Sequence, residues 1–340
     1  MDSSRNQGGP VLESKSSICS LWGLSRVIQI EKDKQETQKI TDFLDYFHLK
    51  SAWKTFKASL TIIEKSTARL GFEFEIENIK QHPLLPPLWQ DHEDLSLRNN
   101  GIEFQSTPLP TSHIKIALFF LKIYLAKIAK QNPDFSWRTS THIHSNAQSL
   151  SMEQLLFEIR LYLVFEPFIY DFVGGHRETS NFCVPLWTTN LDSALISAFL
   201  QAPTKEFITR LYQHWPKYAG LSLFRLFDLG TIEFRQFPGG SDYNKLSIWI
   251  NIIISLYEAA INLNIEKTDV LIKELNTTSQ YEEFFLLIMQ NNVPLPENCK
   301  TLLSQGITFA KHCFSPLSAG VEFPCRRKPR PKSNTVESEY

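Results

Sequence analysis

The amino-acid sequence predicts an α+β fold, in which a curved and mainly antiparallel sheet carries helices on one face. Two observations lead to this prediction. Four short segments alternate apolar and polar residues, which is typical of strands with one buried face. Longer apolar segments with helical spacing lie between and after them. The alternating segments are residues 71–77, 102–105, 141–144 and 230–237, and the helical segments begin at about residues 112, 151 and 245.

The bulk composition argues against several classes of protein. With a net charge of −1 and a pI of about 6.8, the chain has no general electrostatic attraction to nucleic acids or anionic membranes. Its five cysteines are irregularly spaced without a CxxC pair, which argues against a disulfide framework and a thiolate zinc site. The longest apolar segment, residues 248–263, is shorter than a membrane span and is interrupted by polar residues. We therefore expect a cytoplasmic protein without membrane or nucleic-acid partners.

The distribution of these patterns predicts three regions. Residues 1–65 are expected to form a polar N-terminal tail followed by a helical appendage. Residues 66–318 contain all four alternating segments and are expected to form the main domain. Residues 319–340 are expected to form a flexible basic tail. Nucleic-acid binding by this tail is an alternative, but a solvated terminus is the simpler interpretation of its charge.

Local signals predict where one helix begins and where it is disturbed. Ser151 and Gln154 have the spacing of a capping box, so a helix is expected to begin there. Pro167 is expected to kink or end that helix, because proline has no backbone N–H to donate. The proline-rich stretch at residues 83–87 is expected to be a loop.

The polar faces of the four predicted strands share one chemical character. The opposite face of each strand is apolar, so one side of the sheet would cover a core. The other side would collect acidic, imidazole and guanidinium groups. The first strand offers Glu73, Glu75 and Glu77, the second Glu103, the third His142 and His144, and the fourth Glu233 and Arg235.

These side chains predict a metal site. Two carboxylates on one strand face lie roughly 6.5–7 Å apart, and several of them in a half-buried cleft repel one another unless a proton or a cation compensates. Oxygen-rich ligand sets with at most one imidazole suit Mg²⁺ or Mn²⁺. An arginine beside such metals suits a nucleoside triphosphate, because both the metal and the guanidinium bind phosphate oxygens.

Each signal has a simpler interpretation when it is taken alone. The alternation in residues 71–77 is also typical of an edge strand with a solvated face. His142 and His144 could be surface histidines, or ligands of zinc or iron. Glu233 and Arg235 could form an exposed ion pair, which would contribute little to stability. What favours the metal site is the order of the signals along the chain and their shared face.

The order of the motifs resembles the putative amidoligase family, whose members are relatives of glutamine synthetase and glutamate–cysteine ligase and are often found in phages and fungi. The motifs are Gly-x-Glu-x-Glu, Asp-x-Ser, Glu-Phe-x-Ser-x-Pro, His-x-His, an arginine with Asn-Phe-Cys, and Thr-Ile-Glu-Phe-Arg. They lie at residues 71–75, 94–96, 103–108, 142–144, 177 with 181–183, and 231–235. The resemblance covers about residues 70 to 260, and residues 96–101 are similar to phage members in particular.

The resemblance implies a glutamine synthetase-like catalytic domain over residues 66–318, with roles at the matching positions. Glu73 and Glu75 would bind two different metal ions, and Asp94 would support Glu103 in completing one of the two sites. Arg177 would contact the substrate carboxylate or a phosphate. The implied metal ligands are Glu73, Glu75, Glu103, His144 and Glu233; the implied nucleotide contacts are His142, His144 and Arg235; and the implied catalytic residues are Arg235, Arg177 and Glu233.

The activity that the resemblance implies is an ATP-dependent carboxylate–amine ligase that uses Mg²⁺ or Mn²⁺ and forms an amide through an acyl phosphate. A metal-dependent hydrolase on the same face and an inactive interaction protein of the same fold are the alternatives. The substrates would be small-molecule or peptide carboxylates and amines, and the oligomeric state stays open. The sequence departs from the family pattern at Leu95 and Ser140, where members often have glycine, and at Ser222, where asparagine is expected.

Overall fold

A computed structural model describes residues 32–81, 83–189, 215–226 and 228–314. The predicted polar N-terminal tail and the predicted basic tail at residues 319–340 lie outside these ranges. The chain forms two compact units, and the division between them falls between Lys54 and Thr55. A helix over residues 32–46 (α1) belongs to the first unit, and a helix over Lys50–Ser59 (α2) crosses the division.

The second unit contains one open, antiparallel sheet. Its described strands are β1 (Arg69–Ile76), β2 (Trp89–Glu93), β3 (Ile102–Ser106), β4 (Leu109–Pro110), β5 (Ser140–Asn146), β6 (Leu221–Ser222) and β7 (Thr231–Pro238). Their order across the sheet is β2-β3-β1-β5-β7-β6, and β4 pairs with one end of β1. The first predicted segment, β1, therefore lies in the middle of the sheet, with the second and third on either side of it.

The four predicted strands are confirmed as β1, β3, β5 and β7. Three strands were not predicted, and each has a physical reason. β4 and β6 are two residues long, too short for any periodicity. β2 follows the proline-rich loop and has four exposed polar residues in a row after the buried Trp89, because it is an edge strand. It therefore lacks the alternation by which a half-buried strand is recognised.

Helices cover the apolar side of this sheet, which confirms the α+β class. After α2, the described helices are α3 (Thr111–Ile128), α4 (Met152–Val173), the short α5 (Gly175–Glu178), α6 (Tyr243–Asn262), α7 (Ile265–Glu274), α8 (Thr278–Met289) and α9 (Cys299–Phe314). Aromatic contacts join the layers. Phe234 and Phe237 of β7 each lie 6.2 Å from Trp249 of α6, and Phe104 of β3 lies 5.0 Å from Tyr124 of α3, between ring centroids.

Helix α4 begins where the sequence predicts, with Ser151 and Gln154 forming both hydrogen bonds of the capping box. Of the two effects expected of Pro167, an end of the helix is wrong, because α4 continues to Val173, and a kink stays a prediction. A proline inside a helix loses one backbone hydrogen bond, but the residues beside it are tightly packed. Phe165 and Phe168 both contact Phe285 of α8, at 5.9 and 5.0 Å between ring centroids, so burial favours continuation of the helix.

The polar residues of the long apolar helix α6 have structural roles. The buried Asn251 accepts a hydrogen bond from the backbone N–H of Ile63 and donates one to the carbonyl of Thr61, which attaches the segment before β1 to the helix. Within the described ranges, no single helix is long and apolar enough to cross a membrane. Helices α6 and α7 meet those criteria only jointly, and the chain bends by 115° between them.

One face of α4 places two carboxyl groups in the core. The Glu166 carboxyl accepts hydrogen bonds from the Tyr162 hydroxyl and from the backbone N–H of Leu186. The Glu158 carboxyl is 1% exposed and has no hydrogen-bond partner among the described residues. Burial raises the pKa of Glu158 and of Glu166 to about 8. Both carboxyl groups are therefore protonated in the folded protein at neutral pH.

We predict that Glu158→Gln makes the folding stability less dependent on pH. Between the ordinary pKa of 4.5 and the folded value of about 8, the folded state holds a proton at Glu158 that the unfolded state has released. Wild-type stability therefore falls as the pH rises through this range, by at most about 1.4 kcal/mol per pH unit from this group. The neutral amide removes that term, so the variant should gain stability relative to wild type from pH 5 to 8.

The measurement is urea unfolding at pH 5, 6, 7 and 8. Glu153→Gln is the control, because Glu153 lies exposed in the first turn of the same helix. Its stability curve should run parallel to that of wild type. If the Glu158→Gln curve also runs parallel to wild type, the buried carboxyl is not protonated as described.

Candidate metal centre

The strand register brings the predicted acidic and imidazole residues together on one face. Glu75 of β1 lies opposite Glu103 of β3, and Glu73 lies opposite His142 of β5. His144 of β5 in turn lies opposite Glu233 of β7. Side chains two residues apart share a face in each strand, so the alternation seen in the sequence becomes a continuous polar wall across four strands.

His142 lies at the centre of this wall. Its Nδ1 atom lies 3.2 Å from Glu73 Oε2 and 3.3 Å from Glu233 Oε1, and its Nε2 atom lies 3.8 Å from Glu75 Oε1. The ring is buried. Burial and the charge of Arg235 oppose protonation of His142, but the three surrounding carboxylates outweigh them and raise its pKa above the ordinary value. An imidazolium at this position would compensate part of the negative charge.

His144 has the environment of a metal ligand. Its Nδ1 atom lies 3.0 Å from Thr231 Oγ1, a hydrogen bond that fixes the orientation of the ring. Its Nε2 atom lies 3.1 Å from Glu73 Oε1, at ion-pair distance, but has no hydrogen-bond partner among the described residues. A buried imidazole nitrogen without a hydrogen bond is rare. His144 Nε2 and Glu73 Oε1 would lie this close together if both were directed at one cation. The hydrogen bond between Thr231 and the other ring nitrogen is the kind of contact that usually orients a metal-binding histidine.

Three overlapping groups of side chains could each hold a cation. In each group the ligand atoms lie within 4.8 Å of one another. Glu73 and Glu103 each belong to two groups, and the group that contains both of them links the other two, which have no residue in common. The groups are Glu73 with Glu103 and His142, Glu73 with His144 and Glu233, and Glu75 with Asp94 and Glu103. These donor sets consist of carboxylates with at most one imidazole, which suits Mg²⁺ or Mn²⁺.

The pKa values show how strongly these carboxylates interact. Burial, together with the negative charge of Glu73, raises the pKa of Glu103 to about 7. Burial also raises the pKa of Glu75. For Glu73, burial acts in the same direction, but contacts with the imidazole rings of His142 and His144 hold its pKa well below the usual range. The wall therefore carries more negative charge than its own cationic groups compensate.

The wall lines a cavity of about 260 Å³. Five of its lining residues are carboxylates and three are arginines, and Asp94 is among them as the sequence predicted. The Asp94 carboxylate is oriented by hydrogen bonds from the N–H and the hydroxyl of Ser96. The charged lining residues are Glu73, Glu75, Asp94, Glu103, Glu233, Arg138, Arg225 and Arg235.

Arg235 reaches this cavity because strand β7 is irregular. The register between β5 and β7 shifts between Thr141 and Ile143, so two residues of β7, Arg235 and Gln236, lie opposite the single His142. The Arg235 side chain pairs with Glu233 and donates from Nε to the carbonyl of Phe182. The side chain of Gln236 turns to the other face and bonds the Tyr162 hydroxyl.

Arg177 lies outside the cavity. It is 1% exposed, and its guanidinium donates to the carbonyls of Gln236 and Arg235 at 2.8 and 3.0 Å and to Ser140 Oγ at 2.8 Å. These contacts hold the irregular part of β7 against the start of β5. They support a positioning role for Arg177, whereas the sequence suggested a contact with the substrate or a phosphate.

Glu77, the third acidic residue of the first strand, also lies outside the cavity lining. It is buried and accepts a hydrogen bond from the backbone N–H of Arg98 at 2.8 Å. It therefore orders the turn that follows Asp94 and Ser96.

Several cavity residues were not predicted. Gln105 and Ser140 continue the alternation of the predicted strands by one step, so the period itself could have identified them. Gln105 donates a hydrogen bond to Glu103, and the Ser140 N–H donates one to Glu75 at 2.7 Å. Arg138 and Arg225 lie outside the strands, where no periodic signal marks them.

Comparison with known proteins agrees with this geometry. No curated protein has a sequence that matches the chain. Residues 99–257 match the model of a family described as "putative amidoligase enzyme". This match spans β3, β5, β6 and β7, which supply His142, His144, Glu233, Arg235 and Glu103. The resemblance seen in the sequence is thereby confirmed over residues 99–257, which are similar to the putative amidoligase family.

Proposed function

We propose that the protein is an ATP-dependent carboxylate–amine ligase with a glutamine synthetase-like catalytic fold. The observation that carries the proposal is the set of overlapping carboxylate and imidazole groups beside Arg235 in one cavity. Two of these groups have no residue in common and are linked by the group that contains Glu73 and Glu103, so they fit two neighbouring cations. Two cations beside an arginine suit the several negatively charged oxygens of a nucleoside triphosphate.

The residues present fit divalent cations. Glu73, His144 and Glu233 would hold one, and Glu75, Asp94 and Glu103 would hold another. The Nε2 atom of His144, buried without a hydrogen bond, is the structural observation behind this fit. When bound, the cations would compensate the negative charge of the phosphate oxygens.

The proposed reaction has two steps. A carboxylate oxygen of the acid substrate attacks the γ-phosphorus of ATP, the bond between that phosphorus and the bridging oxygen breaks, and ADP leaves. This gives an acyl phosphate. An amine then attacks the acyl carbon, inorganic phosphate leaves, and a proton is released from nitrogen as the amide forms.

The chain's own residues contribute position and charge. Arg235 pairs with Glu233 in the absence of a substrate, and its guanidinium is held by the Phe182 carbonyl. Glu233 would be one of the residues that hold a cation, and Arg235 would direct its N–H groups at the transferring phosphoryl group, where charge-assisted hydrogen bonds are strong. His142, in contact with three carboxylates, keeps their side chains apart and oriented.

We predict that Mg²⁺ with ATP raises the melting temperature of the wild-type protein, and that Glu73→Gln and Glu233→Gln abolish this increase. A ligand that binds only the folded state raises the free energy of unfolding by RT ln(1 + [L]/Kd), where [L] is the free ligand concentration. Each substitution removes one anionic ligand from a cation group. The same variants should lose amine-dependent phosphate release by at least about 100-fold, the usual effect of losing a key electrostatic group.

Glu93→Gln is the matched control, because Glu93 lies exposed on the edge strand β2 outside the cavity lining. It should keep both the thermal shift and the phosphate release. An increase with Mg²⁺ alone, together with metal-dependent ester or amide cleavage, would favour a hydrolase. A protein that responds to neither metal nor nucleotide would be an interaction protein of this fold.

We predict that Arg177→Lys weakens the apparent affinity for ATP by about 10-fold while Mg²⁺ binding is retained. A lysine ammonium cannot bridge the carbonyls of Arg235 and Gln236 and the Ser140 hydroxyl as the guanidinium fork does. Arg235 would then lose its orientation, and one charge-assisted hydrogen bond corresponds to about 1.5–3 kcal/mol. The measurement is the dissociation constant of ATP at saturating Mg²⁺, beside that of Mg²⁺ alone.

Tyr170→Phe is the control for a variant that lowers the stability of the protein but leaves the orientation of Arg235 unchanged. The Tyr170 hydroxyl donates to the carbonyl of Cys183 at 2.6 Å, in the same segment after α4, and it is not one of the groups that hold the Arg235 carbonyl. This variant should lower the melting temperature and leave the affinity for ATP unchanged. Equal losses of ATP affinity in both variants would contradict a specific positioning role for Arg177.

A further inference from the structure

Arg138 differs from the other two arginines of the cavity in having no counter-ion. Arg235 pairs with Glu233, and Arg225 pairs with Asp228 at 2.9 Å. Among the described residues, no carboxylate lies within ion-pair distance of the Arg138 guanidinium, although this residue lines the cavity. Its charge is therefore available to a bound anion.

The Arg138 side chain is held in one orientation. Its Nε and Nη2 atoms donate to the carbonyl of Ser96 at 3.2 and 2.7 Å. Its guanidinium carbon lies 5.5 Å from the centre of the Trp137 ring and 5.0 Å from that of Phe182. A guanidinium fixed in this way loses little conformational entropy when it binds a ligand.

The contacts with Ser96 use one edge of the guanidinium and leave another open. Of five N–H groups, two are directed at Ser96, and the remaining three have no partner among the described residues. Two of these three, one on Nη1 and one on Nη2, lie parallel along the far edge of the group. Parallel N–H groups match the two oxygens of a carboxylate or phosphate.

The surroundings favour an organic anion over inorganic phosphate. Trp137 is 59% exposed beside Arg138, and Leu95, adjacent to the Ser96 that holds Arg138, is 91% exposed. These exposed apolar groups can cover the carbon chain of a ligand. Phe182 contacts two of the three cavity arginines: its ring lies 5.0 Å from the Arg138 guanidinium carbon, and its carbonyl accepts a hydrogen bond from Arg235 Nε. A ligand held by Arg138 would therefore extend past Phe182 towards Arg235.

We propose that Arg138 binds a carboxylate of the acid substrate through its Nη1 and Nη2 edge, beside the rim formed by Leu95, Trp137 and Phe182. This inference rests on the proposed ligase function. It gives to Arg138 the substrate contact that the sequence suggested for Arg177. The acid enters over the rim, and the turn that holds Arg138 also supplies Asp94 to the group with Glu75 and Glu103.

The first experiment needs no turnover. The full chain with Mg²⁺ is labelled with phenylglyoxal, which reacts with accessible guanidinium groups, and labelling of each arginine is measured by peptide mass spectrometry. The probe is an equimolar mixture of small mono- and dicarboxylic acids, and the methyl esters of the same acids are the control. We expect the acids, but not the esters, to slow labelling of Arg138 by at least 3-fold.

The second experiment separates acid binding from nucleotide binding. Hydroxylamine serves as the amine, and hydroxamates formed from the same acid mixture with Mg²⁺ and ATP are identified by mass. For the acid that is converted, Arg138→Gln should raise KM by roughly 10- to 100-fold and leave the KM of ATP unchanged, since a charge-assisted hydrogen-bond pair is lost. The KM of the acid for Arg138→Lys should lie between those of the wild type and Arg138→Gln, because lysine keeps the positive charge but lacks the two parallel N–H groups of arginine.

Arg98→Gln is the matched control. Arg98 also lies over the Trp137 ring, at 5.7 Å, but it does not line the cavity. It should leave the KM of the acid unchanged. The proposal is overturned if Mg²⁺ with ATP protects Arg138 and the acids do not, which would make it a phosphate contact. It is also overturned if no acid protects it, or if Arg138→Gln changes neither KM, which would leave it as a tether for Ser96.

The two proposals can fail separately. Protection of Arg138 by the acids without any hydroxamate formation would support an acid-binding site and contradict the ligase function. Hydroxamate formation that is insensitive to Arg138→Gln would support the ligase and contradict the role of Arg138.

Discussion

The sheet places five carboxylates in one cavity, and the rest of the structure has to offset the repulsion among them. Glu73 and Glu75 lie on the central strand, Glu103 and Glu233 lie on strands to either side, and Asp94 closes one end. A pKa of about 7 at Glu103 shows that the wall cannot hold all of its negative charge at neutral pH without help. Protons and the guanidinium of Arg235 supply part of that help. Divalent cations would suit these ligands as a further source of positive charge, as the proposed function requires.

The fold keeps this unfavourable arrangement in place from the opposite side of the sheet. Phe234 and Phe237 of β7 are buried against Trp249, and Phe104 of β3 is buried against Tyr124. Burial of each such aromatic side chain contributes on the order of 2 kcal/mol. Because side chains alternate between the faces of a strand, the packing that fixes Phe104 and Phe234 also fixes Glu103 and Glu233, the carboxylates next to them in the sequence. The apolar core therefore stabilises a polar face that would repel itself if the strands were free.

The sequence was sufficient to predict strands and their buried faces where apolar and polar residues alternate without interruption. It predicted β1, β3, β5 and β7 and the face of each strand, since hydrophobic burial on one side enforces the alternation. It could not show that Arg177 and Arg235, both parts of family motifs, belong to different environments. A motif describes residues that are close in sequence. The irregularity that directs Arg235 into the cavity arises from the pairing of β7 with β5, which are far apart in sequence. Arg138 was missed for a related reason: its importance comes from the turn carbonyl of Ser96 and from Phe182, both distant in sequence.

The departures from the family pattern fall around the charged wall and not within it. Ser140 stands where the family often has glycine. Its N–H donates to Glu75, and its hydroxyl accepts a hydrogen bond from Arg177. The Ser140 side chain therefore helps to hold Arg177, which in turn binds the backbone carbonyls of β7. Leu95 is exposed at the rim beside Asp94, whose carboxylate keeps its hydrogen bonds to Ser96. Ser222 lies buried opposite Glu233 in the edge strand β6. These substitutions leave every carboxylate and imidazole of the wall in place and change only its surroundings. Under the proposed ligase function, they would therefore change the acid that is accepted and leave the cation ligands as they are.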